Sequence, residues 1–257
     1  MAEKYSSYSP YNYVVNNPIR FIDPDGKKIV IGNNTNTTLT YLAKVAATKK
    51  GRQRLDRLVL SRLTYTTHST FWTSSSAYDG KGQIGKSRTI YSVASAWRPY
   101  VDGGVMSGLY AMGHELNHAY DHDVSGLSGE SERRNREVSS VYFTNYLRSV
   151  YGDGNGMRTR YSGLGLNFSE NESTYNNSNE KITNFTQILD VSFGGGTILG
   201  FSYNISSKEK DSTISYMLSI SKKSGQYIYR IFDNRKEYDA AIQKIQNLKS
   251  ENDEKNK

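Results

Sequence analysis

The 257-residue chain contains no cysteine. That excludes a disulfide scaffold, a thiolate-ligated zinc site and a cysteine nucleophile, and leaves the compartment open. No stretch approaches the roughly 20 consecutive apolar residues of a membrane-spanning helix. Met1 to Pro10 lacks the apolar segment of a secretory signal, so export would need another route. Hydrophobic residues are sparse at 36%, below the globular average. Tyrosine fills part of the gap: there are 21, and a buried phenol ring packs as a hydrophobe when its hydroxyl finds a partner. Histidine is scarce as well, with four in all, which confines imidazole chemistry to few positions.

What the chain has in excess is positive charge, +8 net at neutral pH. Basic toxins and nucleic-acid binders share that balance. Here it is dispersed. Lys49, Lys50, Arg52, Arg54 and Arg57 fall on one predicted helix, and Arg133, Arg134 and Arg136 on another. A solvated helix face accounts for both clusters more simply than a nucleic-acid footprint, and nucleic acid is the disfavoured partner.

Residues 1–27 read as an extended, turn-rich leader, with Asn16-Asn17-Pro18 and Asp23-Pro24-Asp25-Gly26 as its strongest turns. Periodicity then predicts a strand at 27–31 and a helix over 38–60 that Gly51 interrupts. Strands follow at 63–67, 71–74 and 89–94, with a hairpin turn at Asp79-Gly80 and Lys81-Gly82. A helix over 105–122 ends before Gly126 and Gly129, and another runs from Ser131 to Tyr151, stopped by Gly152. Residues 165–181, rich in Asn, Ser and Glu, read as a loop. Strands at 182–193, 198–205, 214–221 and 227–232 precede a final helix from Asn234, whose charged end, Glu251 to Lys257, should fray. No internal repeat is visible. The class is α+β.

The chemistry concentrates in His114-Glu115-Leu116-Asn117-His118, an H-E-x-x-H motif. Residues four apart lie one turn apart on one helix face, so both imidazoles can hold one ion. Glu115, offset around the helix, can act as general base toward a water that zinc acidifies to a pKa of roughly 7. Two of the four histidines fall in the motif, which chance seldom arranges, and Leu109, Met112, Leu116 and Ala119 suit a buried helix. Such a site needs a third protein ligand. The metzincin spacing fails, because Asp121 and Val124 stand where Gly and His are required. Glu137, on the next predicted helix, is the preferred third ligand: Asn135-Arg136-Glu137-Val138-Ser139-Ser140 resembles the ligand segment of the gluzincins. Glu130, Glu132, Asp123 and His122 are its rivals.

Two further resemblances cover longer stretches. The string from Ala2 to Gly26 resembles the end of the core of Rhs/YD-repeat proteins, which are delivery shells followed by a variable toxin domain. Ala111 to Tyr120, with Asn145-Tyr146-Leu147-Arg148 and Arg158-Thr159-Arg160-Tyr161, resembles the bacterial effector zinc metallopeptidase family. The likeness runs from about residue 28 to 164, and residues 165–257 resemble nothing recognised. It implies a zincin-like fold, with a small mixed sheet and an active-site helix, to which the strand pattern adds a β-rich C-terminal region ending in a helix. It implies Zn2+ bound by His114, His118 and Glu137 and a protein or peptide substrate; the Rhs resemblance of residues 1–27 implies delivery into a target cell, opposed by a cognate immunity protein. Tyr161 is the expected oxyanion donor, with Arg158, Arg160 or His68 as alternatives. By the same resemblance, the strand over Thr89–Ala94 is an edge that pairs with extended substrate. The competing readings are a nuclease-type toxin tip and a non-catalytic module with a structural zinc.

Overall fold

A computed structural model of the chain describes residues 29–32, 35–70, 77–79, 88–93, 107–126, 132–152, 156–193, 196–209, 213–221 and 227–255. The expected leader, the 71–74 strand, the turn residues 80–82, and Gly129, Glu130 and Ser131 lie outside these. The described chain is α+β. Its first half contains β1 (Ile29–Ile31), α1 (Thr35–Ala47), α2 (Lys49–Val59), β2 (Tyr65–Thr70), β3 (Ala77–Asp79), β4 (Arg88–Val93), α3 (Gly108–Ser125) and α4 (Arg133–Tyr151). The second half contains the two-residue strands β5 (Arg160–Tyr161) and β6 (Leu166–Asn167), then β7 (Lys181–Phe193), β8 (Gly196–Ser206), β9 (Thr213–Ser221), β10 (Tyr227–Phe232) and α5 (Arg235–Lys255).

The single helix expected over 38–60 is two, and the break falls at Thr48 rather than Gly51. The Thr48 hydroxyl donates to the Val45 carbonyl (2.9 Å) and accepts from the Gly51 amide (3.0 Å). It thus closes α1 and caps α2. Glycine is needed at 51 for a different reason: a Cβ there would collide with the Val45 carbonyl oxygen.

The first sheet has the order β1-β2-β4-β3, with β1, β2 and β4 parallel and β3 antiparallel to β4. The strand preceding α3 is therefore interior, which corrects the expected edge at Thr89–Ala94 (Ala94 itself is outside the described residues). β4 pairs on one side with β2, from Tyr65↔Arg88 to Thr70↔Val93, and on the other with β3, from Ala77↔Tyr91 to Asp79↔Thr89. Backbone groups committed on both sides cannot take a further strand. Among the described residues, the edge beside β4 is β3.

The second sheet, β10-β9-β8-β7, is antiparallel throughout. Side chains alternate across a strand, and β8 and β9 use both faces. Leu199, Phe201, Tyr203 and Met217 join the main core with α1, α3 and α4, whereas Ile198, Tyr216 and Leu218 pack with Tyr238 and Ile245 of α5. Gly200 leaves room for Tyr238 and for Leu189. The main core is thus continuous across residue 165. A buried carboxylate fastens the same junction: Glu180 accepts from the Lys49 amide that opens α2 (3.0 Å) and from the Tyr146 hydroxyl of α4 (2.7 Å). The charged tail expected to fray instead extends α5 to Lys255. No helix among the described residues is long and apolar enough to cross a membrane.

Candidate metal centre

From Gly108 to Ala119 every residue of α3 is buried. Helices covered on all sides are ordinarily apolar all round. Here four polar residues, His114, Glu115, Asn117 and His118, are buried with the rest, and buried polar groups require partners. The helix runs one turn past the expected end at 122 and stops at Gly126, in left-handed conformation (φ 67°). Gly152 stops α4 the same way (φ 57°). Gly113 permits the close approach of the two helices, since a Cβ there would lie 2.5 Å from Leu147 Cδ1.

That approach brings Glu137 of α4 between the two imidazoles. Its Oε2 is 3.0 Å from His114 Nε2 and its Oε1 is 3.5 Å from His118 Nε2. The rings stand at 89° with centroids 4.8 Å apart. Among the described residues this is the one convergent group of three His, Asp or Glu side chains. Tetrahedral zinc with ligand bonds of about 2.0–2.1 Å separates its donors by about 3.3 Å; the two gaps to Glu137 straddle that value, and the three donor atoms lie within 4.8 Å of one another. The donor set fits in charge as well. Burial lowers the His114 pKa to about 4, favouring the neutral, metal-binding imidazole. Burial would raise Glu137, but hydrogen bonds from both imidazoles outweigh it and hold the carboxyl well below its usual range. Burial likewise opposes charge on His118, yet the Glu137 contact and the Glu115 charge leave its pKa raised. His114 Nδ1 is buried without a hydrogen-bond partner among the described residues.

The other expected residues divide. Glu115 is buried beside His114, and its charge acts on both His118 and Tyr161. Burial, with the Glu137 carboxylate, pushes the Tyr161 phenol up to about 12. Arg158 is buried and stacks on the Tyr161 ring, 4.2 Å from its centroid. Arg160 is exposed on β5. His68 belongs to β2, paired with Tyr91. The rival ligands stand outside the cluster: His122 and Glu132 are not in it, and Glu130 is outside the described residues. Asp123 points to α2 and β2, where it accepts from Arg57 Nε (2.6 Å), the Tyr65 hydroxyl (3.0 Å) and the Ser61 hydroxyl.

The basic cluster on α2 differs from the expected solvated face. Arg54 is sandwiched by Phe143 and Tyr120, at 4.1 and 4.9 Å from their ring centroids, and its Nε donates to Asn117 Oδ1 (2.7 Å). Arg57 holds Asp123, Arg52 donates to the Ala46 carbonyl, and Lys50 donates to the Tyr175 carbonyl (2.8 Å). Of the five, Lys49 and Arg57 are exposed, and Lys50, Arg52 and Arg54 are half-buried. Charge density along the sequence gives no hint of this, because a basic helix face looks the same whether it meets water or buried aromatic rings. Ser140, which meets His118 Nδ1, and Asn117, which meets Ser140, likewise leave no trace in the sequence, since hydroxyl and amide side chains carry no spacing signal.

Against protein-family models, curated proteins and solved structures, the chain gives no significant match.

Proposed function

We propose that the chain is a zinc-dependent endopeptidase with a zincin-like arrangement, in which His114, His118 and Glu137 hold the metal and Glu115 is the general base. The observation that carries this reading is the convergence of His114 Nε2 and His118 Nε2 on the two oxygens of Glu137, at 3.0 and 3.5 Å. When bound, zinc supplies Lewis acidity, acidifying a water and polarising a carbonyl. The rest falls to the chain. Glu115, one residue along the helix from His114, is offset around it, accepts the proton of the attacking water and passes it to the leaving amine. Tyr161 keeps its proton at neutral pH because its pKa is near 12, and so serves as a hydrogen-bond donor to the developing oxyanion. Arg158 steadies the Tyr161 ring by stacking on it. Extended substrate would lie along β3, the strand outside β4.

The mixed sheet with α3 packed against β4 supports the zincin-like reading. The likeness of Ala2–Gly26 to an Rhs core end supports delivery as a toxin tip, with a cognate immunity protein as partner. The nuclease alternative loses its footing on α2, where Arg54 and Arg57 are committed within the chain.

The test is metal analysis of wild type and His118→Ala, followed by mapping of new cleavage termini in a proteome exposed to wild type or Glu115→Gln. About one zinc per chain is expected in wild type and little in His118→Ala. Glu115→Gln should retain zinc and lose cleavage. A metal-free wild type, or cleavage that survives Glu115→Gln, would refute the proposal.

A further inference from the structure

Asn117 lies between the two motif histidines, fully buried on α3. An amide can point either way, and its partners decide which. Arg54 Nε, reaching across from α2, donates to Asn117 Oδ1 (2.7 Å) and so turns the amide nitrogen toward α4. That nitrogen then faces Ser139 Oγ (3.0 Å), Ser140 Oγ (3.2 Å) and Asp121 Oδ2 (3.0 Å). Ser140 Oγ in turn lies 3.1 Å from His118 Nδ1. An unbroken line of contacts therefore runs from Arg54 through Asn117 and Ser140 to the back of the His118 ring.

This line has a direction. For Nε2 of His118 to face a metal, Nδ1 must carry the ring proton. Ser140 Oγ must then accept that proton, and it accepts one from Asn117 as well. The two donors converge on one oxygen, so the hydroxyl's own hydrogen points elsewhere. Arg54 cannot swing away: its guanidinium is held between Tyr120 and Phe143, and its Nη1 donates to the Lys50 carbonyl (3.0 Å).

We infer that Arg54, Asn117 and Ser140 are positioning residues that fix the orientation and tautomer of His118 for metal binding. This rests on the metal reading above. Among the described residues, His114 Nδ1 has no such partner.

The experiment is zinc titration of the full chain against a competing chelator, for wild type, Arg54→Met, Ser140→Ala, the double variant, and Arg57→Met. Loss of a group that orients a metal-binding histidine weakens binding by about 10–100-fold. Arg54→Met and Ser140→Ala should each do so, and the double variant should lose little more than the worse single, because both act through one ring. Arg57→Met removes a contact between the same two helices but not the line to His118, and should bind zinc as wild type does. Wild-type affinity in Ser140→Ala or Arg54→Met overturns the inference and leaves the metal site standing, as does an equal loss in Arg57→Met. Should Arg54→Met fail to fold, the ring N–H proton resonance of His118 in zinc-loaded Arg54→Lys decides: a lost or shifted signal supports the relay, and an unchanged one overturns it. A wild type that binds no zinc removes the metal site and this inference together.

Discussion

Asn145 clasps the backbone of Arg158 twice, donating from Nδ2 to its carbonyl (3.0 Å) and accepting its amide at Oδ1 (2.8 Å). One turn on along α4, Arg148 Nη1 reaches the Gly156 carbonyl (3.2 Å). The helix that supplies Glu137 thereby also holds the segment that carries Arg158 and Tyr161. Asn145→Ala leaves two buried backbone groups unpaired, and should cost about 2–4 kcal/mol in urea unfolding. Tyr161 would be loosened while the three metal ligands stay put. Peptidase kcat should therefore fall by about tenfold or more, with zinc affinity nearly unchanged. A parallel loss of zinc would show that the clasp supports the whole site rather than the Tyr161 segment.

Asp123 separates a structural role from a metal-binding one. Its buried carboxylate receives Arg57, Tyr65 and Ser61. Asp123→Ala strands these donors and should destabilise the fold by about 2–4 kcal/mol. Zinc content should remain that of wild type, measured on folded protein. A drop in stoichiometry would bring Asp123 back as a ligand and favour a structural zinc.

Zinc should raise thermal stability by mass action. At a free concentration one hundred times its dissociation constant, the gain is about 2.7 kcal/mol. In a chain of this length that is about 5–10 °C in Tm. Glu137→Ala takes away the carboxylate that the two imidazoles share, and its Tm should not respond to zinc. Melting curves with zinc or chelator compare the two, and an undiminished shift in Glu137→Ala would remove Glu137 from the ligand set.

Alkali should destabilise the protein from the pH at which phenols ionise in water. Burial raises Tyr146, Tyr151 and Tyr161 above their ordinary value of 10.0, Tyr161 to about 12. A pKa raised in the folded state gives stability that is complete below the unfolded pKa and is lost as pH climbs through the folded one. Between about pH 10 and pH 12, the unfolded chain gains phenolate that the folded chain resists. The urea midpoint should fall across that window, while phenolate absorbance of the folded protein lags behind that of the denatured chain. A flat midpoint there would mean that these hydroxyls ionise without unfolding.

The sequence alone determined the local features, because they depend on near neighbours. Periodicity located α3, α4 and β7 to β10 to within a few residues of their observed spans. Gly126 and Gly152 announced the helix ends, since a left-handed residue is cheapest as glycine. The four-residue spacing of His114 and His118 put both rings on one face, and the next helix offered Glu137. Tertiary structure decided everything that depends on what lies across a gap. It folded β3 back against β4, and so moved the sheet edge off the strand that the sequence suggested. It set Arg54 between two aromatic rings, where charge counting saw only a basic face. It joined Asn117, Ser140 and Asn145 to their partners, which lie between 13 and 63 residues away along the chain. Hydrogen bonds of that span leave no periodic trace in a sequence, because their geometry exists only once two helices have packed.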